Sequence, residues 1–119
     1  MSTNCRIGVF NHDDNTTSSI SCHFDGHPDG AGMTLVTEYN TDALARALVA
    51  GGNVSAIVGA VDRGAHTEGP KRHDCDDWPD SGQDWFYLWT GTTWLAAARV
   101  DDETGGFWLD WTTVDEAHA

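Results

Sequence analysis

Positive charge is what this chain has least of. It carries only six lysines and arginines, a single lysine (Lys71) among them, against nineteen aspartates and glutamates, for a net charge of −13. A nucleic-acid binder needs a surface that neutralises phosphates, and so few cations exclude one of any size. Cysteine is also scarce. Cys5, Cys22 and Cys75 are odd in number and show no C-x-x-C spacing, which argues against a disulfide framework and for a reducing compartment. No apolar run approaches the roughly 18 residues a membrane-spanning helix requires. The opening MSTNCRIGVFNHDD has neither the basic start nor the apolar stretch of a signal peptide. The expectation from these absences is a cytoplasmic protein with no membrane partner.

What is present suffices for a packed interior. The 119 residues are 39% hydrophobic and 10% aromatic, one domain's worth of chain that needs no disulfide or structural metal to bury a core. Three readings fit the acidity: solubility, attraction to a basic partner, or mimicry of a nucleic-acid backbone. Mimicry requires carboxylates in regular rows. They gather instead in turn-like segments, at Asp13–Asp14, Asp74–Asp80, Asp101–Glu103 and Asp115–Glu116.

Arg6–Phe10 reads as a first strand, and the polar NHDDNT after it as a turn. Thr17–Asp25 then alternates, which predicts a second strand with Ile20, Cys22 and Phe24 inward and Ser19, Ser21, His23 and Asp25 outward. Gly26–Gly30 breaks it. A helix follows, with Gly32, Leu35, Val36 and Tyr39 on one face and Asp29 as its expected N-cap. Asn40 ends that helix and Thr41 caps the next, whose apolar stripe is Leu44, Ala47 and Leu48 and whose stop is Gly51–Gly52. Asn53–Val61 fits a short helix or a strand equally. Residues 62–83 lack a periodic pattern and read as an irregular functional loop. DWFYLW, the turn TGTT and WLAAARV form a hairpin, FWLDWTT a last strand, and residues 114–119 a frayed tail. The sum is one α+β domain over 1–119: an antiparallel sheet of about four to six strands, two short helices on one face, in the order β-β-α-α-β-β-β.

The densest reactive chemistry lies in Cys22–Asp29. Strand alternation sends Cys22 into the core, away from His23, and leaves His23, Asp25 and His27 on one face. His-x-Asp-x-His can ligate a divalent metal if His66, His73 or Cys75 supplies a fourth ligand. A thiol packed beside Ile20 is inert rather than nucleophilic, and no G-x-S-x-G elbow or phosphate loop is present. Backbone amides after Asp29 offer an anion a place to sit, and Arg63, Lys71, Arg72 and Arg99 are the cations it would use. Trp85, Trp89, Trp94, Trp108 and Trp111 crowd the C-terminal half. A sheet cannot bury rings on both faces unless both are covered, so some of Trp85, Trp89, Trp94 and Trp108 are expected at an interface.

One resemblance adds to this reading. Ile7-Gly8, Cys22-His23-Phe24-Asp25-Gly26-His27-Pro28, Gly30-Ala31-Gly32 and Tyr39-Asn40, with Asp62-Arg63-Gly64 and the late aromatic hairpin, resemble a family of small bacteriophage-encoded proteins. The likeness is good over residues 6–50 and looser beyond, and His27 stands where the family usually has tyrosine. It implies action in the cytoplasm of a bacterial host and supplies no activity. The expectation is binding rather than catalysis, without a cofactor, directed at a host protein such as a defence component. Self-association and a small anionic ligand are further expected partners. His23, Asp25, His27, Asp29, Arg63, Trp89 and Trp94 are the candidate binding residues. Two alternatives stand beside it: a nucleotide-signal sponge with its pocket between the Asp25–Gly32 turn and the aromatic hairpin, and a metal-dependent hydrolase using His23, Asp25 and His27.

Overall fold

A computed structural model describes residues 3–58, 61–63, 68–75, 77–79 and 82–118; His118 is described by its backbone alone. The fold is α+β. Six strands form one mixed sheet: β1 (Cys5–Asn11), β2 (Thr16–Cys22), β3 (Lys71–Asp74), β4 (Trp85–Trp89), β5 (Trp94–Asp101) and β6 (Phe107–Thr113). Their order across the sheet is β3-β2-β1-β4-β5-β6, and the central β1–β4 pair is parallel. The all-antiparallel expectation is thus corrected at β1–β4, two strands far apart in the chain that no hairpin turn forces to run in opposite directions.

The helices lie on one face. A single π-helical turn (Pro28–Gly32) leads into α1 (Met33–Glu38); α2 (Asp42–Ala50) and α3 (Val114–His118) follow. Thr41 caps α2 by accepting from the Leu44 amide, as its position predicts, and Gly52 turns the chain away at φ +89°. Four expectations fail here. Asp29 caps nothing; His27 holds the N-terminal position, without a side-chain bond. α2 buries Ala45, Leu48 and Val49 and leaves Leu44 and Ala47 exposed, a rotation of its stripe by one residue. The tail expected to fray forms α3, anchored by Val114 at 2% exposure. The irregular 62–83 segment contains β3, recruited by β2 as an edge strand.

The larger core lies under the helices, where Ile7, Val9, Ile20, Leu35, Val49 and Tyr87 are buried. Three polar ring atoms tie helices and turn to sheet. The Tyr87 hydroxyl donates to the Gly26 carbonyl at 2.7 Å, Trp89 Nε1 to Asp42 Oδ1 at 3.1 Å and Trp94 Nε1 to the Tyr39 carbonyl at 2.8 Å. Large rings can be fully buried here because each polar atom finds an acceptor.

The opposite sheet face is covered too, by a smaller cluster of Trp78, Phe86 and Ala97 with Leu88, Phe107, Leu109 and Trp111 packed against it. Trp78 comes from the segment after β3 and packs over Gly8. A Cβ on Gly8 would fall 2.7 Å from Trp78 Cη2 and 2.9 Å from Thr17 Cγ2. Gly8→Val should therefore lose about 1–3 kcal/mol of stability by overpacking, read as a lowered urea midpoint with an unchanged slope.

Candidate functional site

The Cys22–Asp29 corner does not assemble as the alternation of its residues predicts. β2 ends at Cys22, so His23, Asp25 and His27 share no strand face. Cys22 is buried as expected, but Phe24 is 50% exposed rather than inward. Asp25 takes a left-handed φ of 58°, a conformation that a short polar side chain tolerates. His27 Nε2 pairs with Thr3 Oγ1 at 2.8 Å. Among the described residues no three of His, Cys, Asp and Glu lie close enough to hold a metal ion; His66 falls outside those residues. The turn is packed rather than open. The Gly26 carbonyl takes the Tyr87 hydroxyl, and a Cβ on Gly32 would meet Val114 and Tyr87 at 3.1 and 3.2 Å.

The remaining candidates are structural. Arg63 closes the end of α2, its guanidinium donating to the Gly52 carbonyl at 2.6 Å and the Leu48 carbonyl at 3.3 Å. Trp89 and Trp94, each 2% exposed, belong to the helix-side core rather than to an interface. Their hydrogen bonds explain the difference, since Asp42 and the Tyr39 carbonyl stand where their indoles need acceptors. The Trp89 indole, and then Arg46, hold the Asp42 carboxyl below its usual range.

One tryptophan does reach solvent. Trp108 is 53% exposed on β6, an outer strand of the sheet. The strand it stands on lines a groove of about 350 Å³ with Trp78, Phe107, Leu109 and Trp111, with Asp77 and Cys75 beside them; alternation along β6 turns the Trp108 ring to the sheet face opposite Phe107, Leu109 and Trp111. The groove is rigid by ring contact. Trp78 meets Phe86 edge-on at 5.5 Å and Trp111 at 5.6 Å, Phe86 stacks on Phe107 at 5.8 Å, and Arg99 lies 4.5 Å over the Phe107 ring.

The two sheet edges differ in kind. β3 is four residues of Lys, Arg, His and Asp, the short charged strand that blunts an edge against pairing. β6 is seven residues reading FWLDWTT. The Arg99 amide bonds the Asp84 carbonyl on the β4 side. Ladder alternation then turns the backbone N–H and C=O of Phe107, Leu109 and Trp111 away from β5. Exposed carboxylates surround this edge, at Asp77, Asp101, Asp102, Glu103 and Asp110. Asp102 is held below the ordinary carboxyl range by the Thr104 hydroxyl, then by the Thr104 and Gly106 amides, so its charge is secure at neutral pH.

Beneath Trp78 a polar chain crosses β1, β2 and β3. Arg6 Nε donates to Ser19 Oγ at 2.8 Å, Ser19 Oγ pairs with His73 Nε2 at 2.8 Å, and His73 Nδ1 pairs with the Asp74 carbonyl at 2.9 Å. A carbonyl only accepts, so Nδ1 carries a proton, and in the neutral ring Nε2 takes the serine hydroxyl. Burial pushes the His73 pKa below 6.5. The folded state therefore binds its proton later than the unfolded chain does. This contribution is complete above pH 6.5 and is lost as pH falls below it. Urea midpoints of the wild type should decline between pH 7 and 5, and His73→Gln should flatten that decline. Carboxylates act lower, below about pH 4.

Compared with protein-family models, curated proteins and solved structures, the chain matches none. No described helix is long and apolar enough to cross a membrane.

Proposed function

We propose that this chain works by binding, seating an extended basic segment of another protein along β6. The half-exposed Trp108 on the edge strand β6, whose opposite face lines an aromatic groove, carries the reading. An added strand would bond the outward backbone groups of Phe107, Leu109 and Trp111 while its alternate side chains enter the groove. The surrounding carboxylates supply complementarity to lysine or arginine and speed encounter. The likeness of Ile7–Asn40 to phage-encoded proteins supports a bacterial host protein, including a defence component, as the one held. Affinity capture from bacterial lysate with wild-type and Trp108→Asp baits tests this. A protein retained by the wild type and lost with the variant is the expected result. Equal retention by both baits, or none above background with either, would refute it.

A further inference from the structure

The sheet face that carries the aromatic groove already holds one cation of its own. Arg99, on β5, lies with its guanidinium carbon 4.5 Å from the centre of the Phe107 ring, and its Nε donates to Asp101 Oδ1 at 2.7 Å. The ring attracts the flat guanidinium through its negative face, and the carboxylate takes the N–H. The Arg99 side chain is only 18% exposed, so this seat removes most of it from water.

Farther along β6 the same parts recur without the cation. Trp111 lies on the same face of the strand as Phe107, is half-buried and lines the groove of about 350 Å³, and the exposed Asp77 lines it too. Among the described residues that line it there is no lysine, arginine or histidine. The volume is at the small end of ligand sites, room for one side chain rather than a cofactor. Phe107 already carries Phe86 and Arg99. Trp111 has Trp78 against it at 5.6 Å and 46°. Rings in contact leave no slot between them, so a ligand lies on the Trp111 surface instead of inside a cage. Such a surface suits a planar group.

We infer that the groove is a subsite for one arginine side chain, stacked on Trp111 with its guanidinium turned to Asp77. The inference rests on β6 as the seat of a basic segment and names the residue which that segment places there. Directly opposed residues of neighbouring strands share a face, and diagonal neighbours stay within reach of long side chains. An arginine facing Leu109 therefore reaches Trp111. Lysine fits less well, because its ammonium is a strongly hydrated point charge, whereas a guanidinium is planar, sheds water more readily and pairs with a carboxylate through two N–H groups. An apolar side chain would fill the groove and leave Asp77 partly desolvated with nothing gained in return.

Titrating the ¹⁵N-labelled full chain with the N-acetyl amides of arginine, citrulline and lysine at constant ionic strength tests the subsite. Citrulline keeps the planar group and loses the charge, while lysine keeps the charge and loses the plane. Saturable shifts are expected at the Trp111 indole and the Leu109 amide, with arginine tighter than lysine and about tenfold tighter than citrulline. Asp77→Asn should weaken arginine about threefold and leave citrulline unchanged. Trp111→Leu should abolish the shift at Leu109; if it does not fold, Asp77→Asn decides. Citrulline or lysine binding as tightly as arginine would overturn the subsite. So would unchanged arginine affinity in Asp77→Asn, or no saturation by about 50 mM. An amino-acid amide is too short to add a strand, so its failure leaves capture through Trp108 standing. Arginine amide bound as expected, with no lysate protein captured, would keep the subsite and reject the basic segment on β6.

Discussion

Replacing Trp78 with alanine should lower stability by about 3–5 kcal/mol, the largest loss expected from any exposed-looking segment of this chain. The indole is 6% exposed and touches Phe86, Trp111 and His73, while Gly8 lies directly beneath it. Gly8 cannot rise to fill the space, because β1 is held between β2 and β4. The truncation therefore leaves a cavity over the sheet centre as well as losing the transfer energy of the ring. Trp78→Phe separates the two contributions of the side chain. It keeps most of the apolar contact and removes an indole N–H that is buried with no partner, so its loss should be much smaller. Urea unfolding of both variants checks this. A loss below about 1 kcal/mol for the alanine variant would mean that Trp78 does not close that face.

Trp108 should behave in the opposite way. Half exposed at the outer strand, it contributes little to the fold, and Trp108→Ala should stay within about 0.5 kcal/mol of wild-type stability. In complex with the captured partner it becomes a central aromatic anchor. Its removal should then weaken affinity by at least about 30-fold, or 2 kcal/mol, as truncation of an interfacial tryptophan does. Raising the salt should slow association in both proteins, since the carboxylates around β6 steer a basic segment at low ionic strength. Calorimetric titration of wild type and variant measures the difference. Loss of stability in the variant, with affinity unaltered, would return Trp108 to the core.

These two tryptophans mark what local pattern can and cannot convey. The strands of the two hairpins, the Thr41 cap and the burial of Cys22 were legible because they depend on neighbours in sequence. Trp85, Tyr87 and Trp89 lie on one face of β4, as a period of two dictates. Which tryptophans reach solvent was not legible. That depends on Asp42 and the Tyr39 carbonyl, some fifty residues from the rings they accept from, at separations of 47 and 55. The second covered face was hidden for a similar reason. Trp78 sits among CDDWPDSGQ with no periodicity, and only the glycine at position 8 hinted that something packs close to β1.

At the Cys22–Asp29 corner the alternating pattern outruns the strand. Alternation continues through Asp25, but the chain leaves the sheet after Cys22 to bond Ser55 and then coils into the π-helical turn. A single arginine between Cys5 and Ile7, Arg6 reads as an outward residue of β1. The fold covers that outward side, so period two locates the side chain and says nothing of its burial.

Hydrogen exchange of the complex tests the central claim most directly. With the partner bound, new protection should concentrate on the amides of Phe107, Leu109 and Trp111 and on the Asp77–Trp78 segment, with residues 23–32 unchanged. Protection at residues 23–32 with β6 exchanging as in the free protein would contradict it.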